Sequence, residues 1–156
     1  MSNVPMMAAE EAPVSVYVHP GQLYAAAHAA LVSTILGSCV AVCLWDPVAR
    51  VGGMNHFLLP SGKGPRYAND AMPRLVEEML ARGAFVARTI AKVFGGACVI
   101  ETFTGPRKAI GAQNADAALQ FLAAHAIPVR VNQTGGRRGR KLLFHTGTGQ
   151  AYVKEI

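Results

Sequence analysis

The order of predicted elements along this 156-residue chain is typical of an α+β sandwich, in which two main helices pack on a mixed sheet. Two amphipathic helical patterns separate groups of short β-type runs, and few β-α-β alternations are evident. Apolar residues make up 51% of the sequence and charged residues 15%, which suits one domain with a sizeable core. We therefore predict a flexible tail over 1–13 and a single domain over 14–156.

The first third of the chain is predicted to be mostly strand. Apolar or alternating runs indicate strands over 14–18, 31–35, 40–45 and 51–59, while the alanine-rich stretch 23–30 fits either a strand or a helix. The last two of these runs flank a four-residue connection that begins Asp46-Pro47. Such a connection is typical of a hairpin built on a type I turn.

Two helices follow, each with strands after it. The first has apolar residues at helical spacing from Met72 to Leu80, with Asn69 as a plausible N-cap and Gly83 at its C-terminal end. The second is predicted over 114–125, capped by Asn114. Further strands are predicted over 85–94, 97–102, 129–131, 142–145 and 151–154.

Composition also restricts the setting of the protein. No uninterrupted apolar run of about 18 residues is present, so membrane insertion is not expected. The N-terminus lacks the basic start and apolar centre of a signal peptide, and we expect a cytoplasmic protein. Three cysteines without a C-x-x-C pair argue against both a disulfide framework and a zinc site.

The formal net charge of +6 includes a basic stretch at 137–141. This stretch fits a surface that meets nucleic acid, a membrane surface or an acidic protein, and it equally fits a solvated turn. Aromatic residues make up only 7% of the chain and none interrupts the basic stretch as a stacking platform would. A nucleic-acid partner is therefore not expected.

One cysteine stands where a nucleophile is expected. Cys39 follows Gly37 and Ser38 at a junction between two predicted strands. A glycine permits tight backbone geometry there, and the backbone N–H groups near Gly37 and Ser38 are candidates to bind substrate or an oxyanion. Cys43 and Cys98 lie inside apolar runs, where core packing is the better interpretation.

The predicted hairpin supplies a base for this cysteine. If the connection is 46–49, Trp45 pairs with Arg50, and the ladder continued outward sets Cys39 opposite His56. Opposed residues have Cβ atoms about 4.5–5.5 Å apart, close enough for a thiol to contact an imidazole. A shift of one residue would instead place Val40 opposite His56, so the register permits the pair without requiring it.

A cysteine next to a histidine can act as a nucleophile with its own base. A neighbouring imidazole can accept the thiol proton and leave a reactive thiolate, and it can then protonate the departing group. A third group usually orients the imidazole. The hydroxyl groups of Ser33 and Thr34, on the preceding strand, are candidates for this role.

Several spaced motifs in one order resemble the CheD family of chemoreceptor glutamine deamidases. They are Leu36-Gly37-Ser38-Cys39-Val40-Ala41-Val42, Gly52-Gly53-Met54-Asn55-His56-Phe57-Leu58-Leu59-Pro60, Arg66-Tyr67-Ala68, Ala91-Lys92-Val93-Phe94-Gly95-Gly96-Ala97, Ile110-Gly111 with Asn114, and Gly135-Gly136 with Gly139-Arg140-Lys141. The resemblance covers most of the chain from about Val14 onward.

This resemblance implies a cysteine hydrolase that converts receptor glutamines to glutamates and releases ammonia, without a metal or an organic cofactor. It implies a layered α/β/β sandwich related to the toxin deamidases, with Cys39 and His56 as catalytic residues. The family's third residue is a threonine six positions before the cysteine, which places the role on Ser33 here. Implied partners are the cytoplasmic helices of methyl-accepting chemoreceptors and a CheC-type phosphatase.

Two positions depart from the family pattern, and two other functions stay open. Ser33 replaces the threonine and loses the methyl group that stiffens its rotamer, and Gln133 replaces a common aspartate. A receptor methylesterase, a transglutaminase-like enzyme or another protein deamidase would share the thioester chemistry. A protein that only binds and regulates the CheC phosphatase is the non-enzymatic alternative.

Overall fold

The computed structural model describes residues 12–98 and 109–156. These residues form nine strands, two α-helices and a short 3₁₀ helix at Val86–Arg88. The strands are β1 (Val14–Tyr17), β2 (Leu23–Ala26), β3 (Ala30–Leu36), β4 (Val40–Asp46), β5 (Val51–Asn55), β6 (Ile90–Gly95), β7 (Val129–Thr134), β8 (Arg140–His145) and β9 (Ala151–Glu155). The helices are α1 (Ala68–Ala81) and α2 (Ile110–Ala124).

The strands assemble into two sheets. A four-stranded sheet has the order β1-β3-β8-β9, and a five-stranded sheet has the order β2-β5-β4-β6-β7. The β1–β3 and β6–β7 pairs are parallel, whereas the other pairs are antiparallel. The predicted α+β class, with two helices and mixed sheets, is confirmed.

Alternation along β4 divides the interior into two apolar layers. Val40, Val42 and Leu44 pack with residues of both helices, while Ala41 and Cys43 pack with residues of the four-stranded sheet. The layers therefore follow in the order helices, five-stranded sheet, four-stranded sheet. This is the α/β/β order that the resemblance implies; kinship with the toxin-deamidase fold stays a prediction. In the described ranges, neither helix is long and apolar enough to cross a membrane.

The register of the β4–β5 hairpin differs from the predicted one. Asp46 pairs with Val51 and Trp45 with Gly52, so the connection is 47–50 rather than 46–49. The reason lies in the Asp46 carboxylate, which accepts the N–H groups of two turn residues and keeps Asp46 itself in the strand. Arg50 closes the turn with a φ of 58°. The pairing thus shifts by two residues, from Trp45–Arg50 to Trp45–Gly52. Because side chains alternate with a period of two, the same side chains still share a face.

Other boundaries also move, for local reasons. The ambiguous stretch 23–30 contains β2 and the first residue of β3. The predicted strand 85–94 begins instead with the 3₁₀ helix, because Thr89 donates its hydroxyl back to the Phe85 carbonyl. Of the predicted strand 97–102, residues 97–98 are not in a strand and 99–102 lie outside the described residues.

Both predicted helix caps are wrong. Helix α1 begins after Tyr67, and Asn69 uses its side-chain amide to bind the backbone of Gly62. Helix α2 begins after Ala109, four residues earlier than predicted, so Asn114 lies within the helix. Its side chain is fully buried and binds elsewhere, as described below.

An ion pair between a buried carboxylate and a partly exposed arginine fixes the turn end of the hairpin. The Asp46 side chain is completely buried and accepts hydrogen bonds from the Arg88 guanidinium and from the Phe85 N–H. Burial alone would raise the pKa of this carboxyl group, but the Arg88 bond and the backbone N–H groups outweigh it and lower the pKa to about 2.

Replacing this carboxylate should therefore cost stability in a pH-dependent way. Because the folded pKa of about 2 lies below the ordinary value of 3.8, the stabilisation is fully present above about pH 4 and is lost as pH falls through about 2. Asp46→Asn should lower the free energy of unfolding by about 2 kcal/mol near neutral pH. Urea denaturation at several pH values measures this difference.

The matched control is Asp70→Asn, which breaks the more exposed Asp70–Arg74 pair and should cost less than about 1 kcal/mol. An Asp46→Asn deficit that stays constant down to pH 2 would contradict the assignment.

Candidate active site

The loop that carries Cys39 is held by its carbonyl groups. The Gly37 carbonyl accepts the Ala97 N–H at 2.9 Å, and the Cys39 carbonyl accepts the Gly96 N–H at 2.8 Å. Between them, the Ser38 carbonyl accepts the Asn114 side-chain amide at 3.0 Å. Three successive carbonyls of the loop are thus fixed on the β6 end and on helix α2.

The N–H groups of this loop point the other way. In a trans peptide the N–H is directed opposite to the preceding C=O, so the N–H groups of Ser38 and Cys39 face away from these anchors. Within the part of the chain that the structure describes, neither N–H forms a backbone hydrogen bond with another residue. That these N–H groups near Ser38 bind an oxyanion stays a prediction.

The glycine that this packing requires is Gly95 rather than Gly37. Gly37 does not adopt a left-handed φ, and a Cβ built on it would meet nothing within 4 Å. Gly95 has a φ of 109°, and a Cβ there would collide with the Cys39 carbonyl. The prediction that Gly37 permits tight backbone geometry is wrong. The close contact is made at Gly95, where β6 meets the Cys39 carbonyl.

His56 and Thr34 meet between the two sheets. The His56 Nδ1 atom lies 2.8 Å from the Thr34 Oγ1 atom, and that hydroxyl donates to the Val18 carbonyl at 2.7 Å. Both side chains are buried. A side chain from the five-stranded sheet is thereby attached to the four-stranded sheet.

The prediction that Ser33 contacts the imidazole is wrong. Along β3, burial alternates so that Val32, Thr34 and Leu36 face the inter-sheet layer. Ser33 is partly exposed on the opposite face, and strand alternation keeps its hydroxyl away from His56. The hydroxyl that reaches the imidazole belongs to the other candidate, Thr34.

This arrangement selects one tautomer of the imidazole. The single Thr34 hydroxyl proton is donated to Val18, so Thr34 Oγ1 can only accept from His56. Nδ1 then carries the proton and Nε2 presents a lone pair. The Nε2 atom is buried and has no hydrogen-bond partner in the described residues. Nε2 is therefore the ring nitrogen that can accept a proton.

Cys39 and His56 share one face of the five-stranded sheet. Val40 and Phe57 pair through two hydrogen bonds, so the prediction that His56 lies directly opposite Cys39 or Val40 is wrong. The cysteine and the histidine lie diagonally across β4 and the segment after β5. Diagonal neighbours have Cα separations of about 7–8 Å, within reach of long side chains. The thiol and Nε2 form no hydrogen bond in this conformation. Catalytic hydrogen bonds commonly tighten only when substrate binds.

Burial shifts both groups towards their neutral forms. It raises the pKa of the Cys39 thiol, against a smaller opposing effect of the residue's own backbone N–H. It also lowers the pKa of His56 to about 4, although the Val18 carbonyl opposes this change. At neutral pH the two groups are therefore a neutral thiol and a neutral imidazole.

Two side chains that support the site were not predicted for it. The Asn114 amide donates to the Leu58 carbonyl at 2.7 Å as well as to Ser38. Arg140, predicted to be part of a basic surface stretch, is buried and donates to the carbonyls of Gly95 and Gly135. The sequence signal for Asn114 is its spacing: it shares a helical face with the apolar residues Ala118 and Leu122, where an asparagine is unusual.

The remaining candidates lie outside the site or beside it. Cys43 is fully buried in the inter-sheet layer, and its pKa is raised by burial. Cys98 is partly exposed and donates its N–H to the Gly136 carbonyl. Gln133 is exposed on β7, opposite Phe94, and nothing in the structure explains its departure from the family pattern.

Comparison with known proteins matches this chain to one family. A family model described as CheD chemotactic sensory transduction matches residues 60–155. A protein of Anaeromyxobacter dehalogenans (strain 2CP-C), named "Probable chemoreceptor glutamine deamidase CheD 1", is 50% identical over 145 residues, covering 90% of this chain and 84% of that protein. That alignment omits only a tenth of the chain and so includes Cys39 and His56.

A second relative and one solved structure extend the comparison. "Probable chemoreceptor glutamine deamidase CheD" of Rhizobium leguminosarum bv. trifolii (strain WSM2304) is 49% identical over 130 residues, covering 78% of this chain and 68% of that protein. The crystal structure of the Bacillus licheniformis hypothetical protein YfiH is 14% identical, with a TM-score of 0.41, and covers 68% of this chain and 46% of that chain.

The protonation of His56 can be measured directly. Nitrogen-15 NMR of the imidazole should show the Nδ1–H tautomer and a titration midpoint near pH 4. Because the folded pKa lies below the ordinary 6.5, the stability of the protein should also fall as pH decreases from about 6.5 to about 4. Thr34→Val should shift the His56 resonances, whereas Ser33→Ala should leave them in place. A midpoint near 6.5 or an Nε2–H tautomer would contradict this geometry.

Proposed function

This chain belongs to the CheD family, and we propose on that basis that it deamidates glutamine side chains of chemoreceptors, with Cys39 as nucleophile. One observation carries the chemical part of the proposal. The His56 Nε2 atom, which has no hydrogen-bond partner among the described residues, shares a sheet face with Cys39, and its ring is oriented by Thr34. The substrate class follows from the names of the relatives.

The first half of the reaction forms a thioester. The Cys39 Sγ attacks the side-chain carbonyl carbon of glutamine while its proton passes to His56 Nε2. The carbonyl oxygen becomes an oxyanion, which the N–H groups of Ser38 and Cys39 stabilise. The imidazolium then protonates the amide nitrogen, and ammonia leaves as the C–N bond breaks.

The second half regenerates the enzyme. His56 Nε2 accepts a proton from water, and the resulting hydroxide adds to the thioester carbonyl. The C–S bond breaks, the thiolate takes back the proton, and glutamate is released. Each step uses the same base nitrogen, so Thr34 must hold one ring orientation throughout.

The resting protonation states determine how the first step proceeds. The raised pKa of Cys39 and the lowered pKa of His56 disfavour a preformed thiolate–imidazolium pair. Proton transfer therefore accompanies the attack of sulfur, once the thiol rotates away from its own N–H towards Nε2. Substrate that excludes water from the site strengthens this interaction.

The central prediction concerns the product of the reaction. Incubated with a cytoplasmic chemoreceptor fragment, the protein should add about 1 Da per modified glutamine and release one ammonia, because an amide becomes an acid. Cys39→Ala and His56→Ala should abolish both signals. Peptide mass spectrometry and an ammonia assay provide the measurement.

Cys43→Ala is the matched cysteine control, since that thiol is fully buried and faces the inter-sheet core. It should retain activity. A mass gain that persists with Cys39→Ala would show that another group performs the reaction.

A second prediction separates the two hydroxyls of β3. Thr34→Val removes the group that binds Nδ1 and should lower kcat by about 10- to 100-fold through misorientation of the base. Thr34→Ser keeps the hydroxyl and should retain most of the activity. Ser33→Ala, which removes the adjacent hydroxyl from the other face, should have little effect. Equal losses for Ser33→Ala and Thr34→Val would reject the role of Thr34.

A further inference from the structure

We infer that Asn114 is a positioning residue, one that sets the distance between the nucleophile and the base. The inference deepens the proposed function and depends on its Cys39–His56 pair. The Asn114 Nδ2 atom donates one hydrogen to the Ser38 carbonyl at 3.0 Å and the other to the Leu58 carbonyl at 2.7 Å. One amide thus joins the residue before Cys39 to the residue two places after His56.

Both donor hydrogens of the Asn114 side chain are used by these two bonds. Asn114 is completely buried, so both of its N–H groups must be satisfied within the protein. An amide carries only two such hydrogens, and each is used by a different loop. Its Oδ1 atom is also buried but has no hydrogen-bond partner in the described residues, a cost that the two bonds must offset.

Helix α2 carries this amide on a rigid platform. A Cβ at Gly111 would lie 2.5 Å from the Gly96 carbonyl oxygen and 2.6 Å from that of Ala97. The first turn of α2 therefore approaches the backbone after β6 as closely as a glycine allows. Gly96 and Ala97 are the residues whose N–H groups hold the Cys39 loop. The helix, the loop and the base segment consequently form one unit with Asn114 at its centre.

The sheet supplies only one part of this connection. The regular β4–β5 pairing ends at Cys43 and Met54, and only the isolated Val40–Phe57 bridge continues it. In the interval, Val42 donates its N–H to the Asn55 side chain instead of to a backbone carbonyl. The His56 segment therefore meets β4 only through that bridge, while the His56 backbone itself bonds to Gly21 and Gln22. Asn114 adds a second attachment between this segment and the Cys39 loop, from the helix side.

The test measures coupling between Asn114 and His56 at Cys39, with no substrate required. The rate of Cys39 alkylation by iodoacetamide at neutral pH is followed by peptide mass spectrometry in the wild type, Asn114→Leu, His56→Gln and the double variant. Asn114→Leu keeps the branched shape and removes both donors. We expect His56→Gln to slow alkylation at least 10-fold in the wild type and less than 2-fold beside Asn114→Leu, a non-additive cycle.

Two further variants guard against a general loss of structure. Asn114→Ser keeps a single hydroxyl donor, can bind at most one of the two carbonyls, and should give an intermediate effect. Leu122→Ala lies on the same helix in the same core and should lower thermal stability while leaving the coupling intact. If Asn114 acts only by stabilising the fold, then Leu122→Ala and Asn114→Leu should weaken the effect of His56 on Cys39 alkylation equally when their losses of stability are equal. That result would overturn the inference.

A receptor-fragment arm separates this inference from the proposed function. There, Asn114→Leu should lower kcat about 100-fold with KM changed less than 3-fold, because the reacting groups are misplaced while the binding surface is kept. If the alkylation cycle is non-additive as expected but the wild type does not deamidate the receptor fragment, the proposed substrate is rejected and the role of Asn114 is kept. Additive effects of His56→Gln and Asn114→Leu on alkylation, or no effect of His56→Gln at all, would reject that role.

Discussion

The hydrogen bonds from His56 through Thr34 to the Val18 carbonyl are the interaction on which the candidate site depends. They cross the apolar layer between the two sheets, where an unpaired polar atom costs about 1–3 kcal/mol. Each donor has one acceptor along this path, so the ring can occupy a single orientation with Nε2 left over. The same bonds join the segment after β5 to β3 of the four-stranded sheet.

Among the described residues Nε2 has no hydrogen-bond partner in this layer, which is unfavourable for folding. Burial depresses the pKa of His56, which keeps the imidazole neutral and able to accept a proton. The same burial raises the pKa of Cys39, so the thiol is protonated at neutral pH and reacts only as its proton is removed. Asp46, at the other end of the hairpin, shows the opposite solution: its buried charge is fully compensated by Arg88 and by backbone N–H groups.

Much of this arrangement could be predicted from the sequence because it follows from local patterns. The helices, most strands and the partly exposed junction at Cys39 depend on periodicity and turn chemistry, which act over a few residues. The choice between Ser33 and Thr34 does not, since both faces of β3 carry apolar residues and alternation alone cannot say which face is inside. The prediction of the hairpin register was wrong for a related reason. The Asp46 side chain accepts hydrogen bonds from turn N–H groups and thereby lengthens β4 by one residue.

Contacts between distant segments were the least accessible to sequence reasoning, and the site consists of them. Cys39 is held by backbone groups that follow β6, and by an amide from α2. Neither contact leaves a periodic signature. What the sequence does contain is their steric consequence: Gly95 and Gly111 must lack a Cβ for strand, loop and helix to approach one another. Gly95 and Gly111 therefore mark two places where backbones meet, next to the loop that carries Cys39.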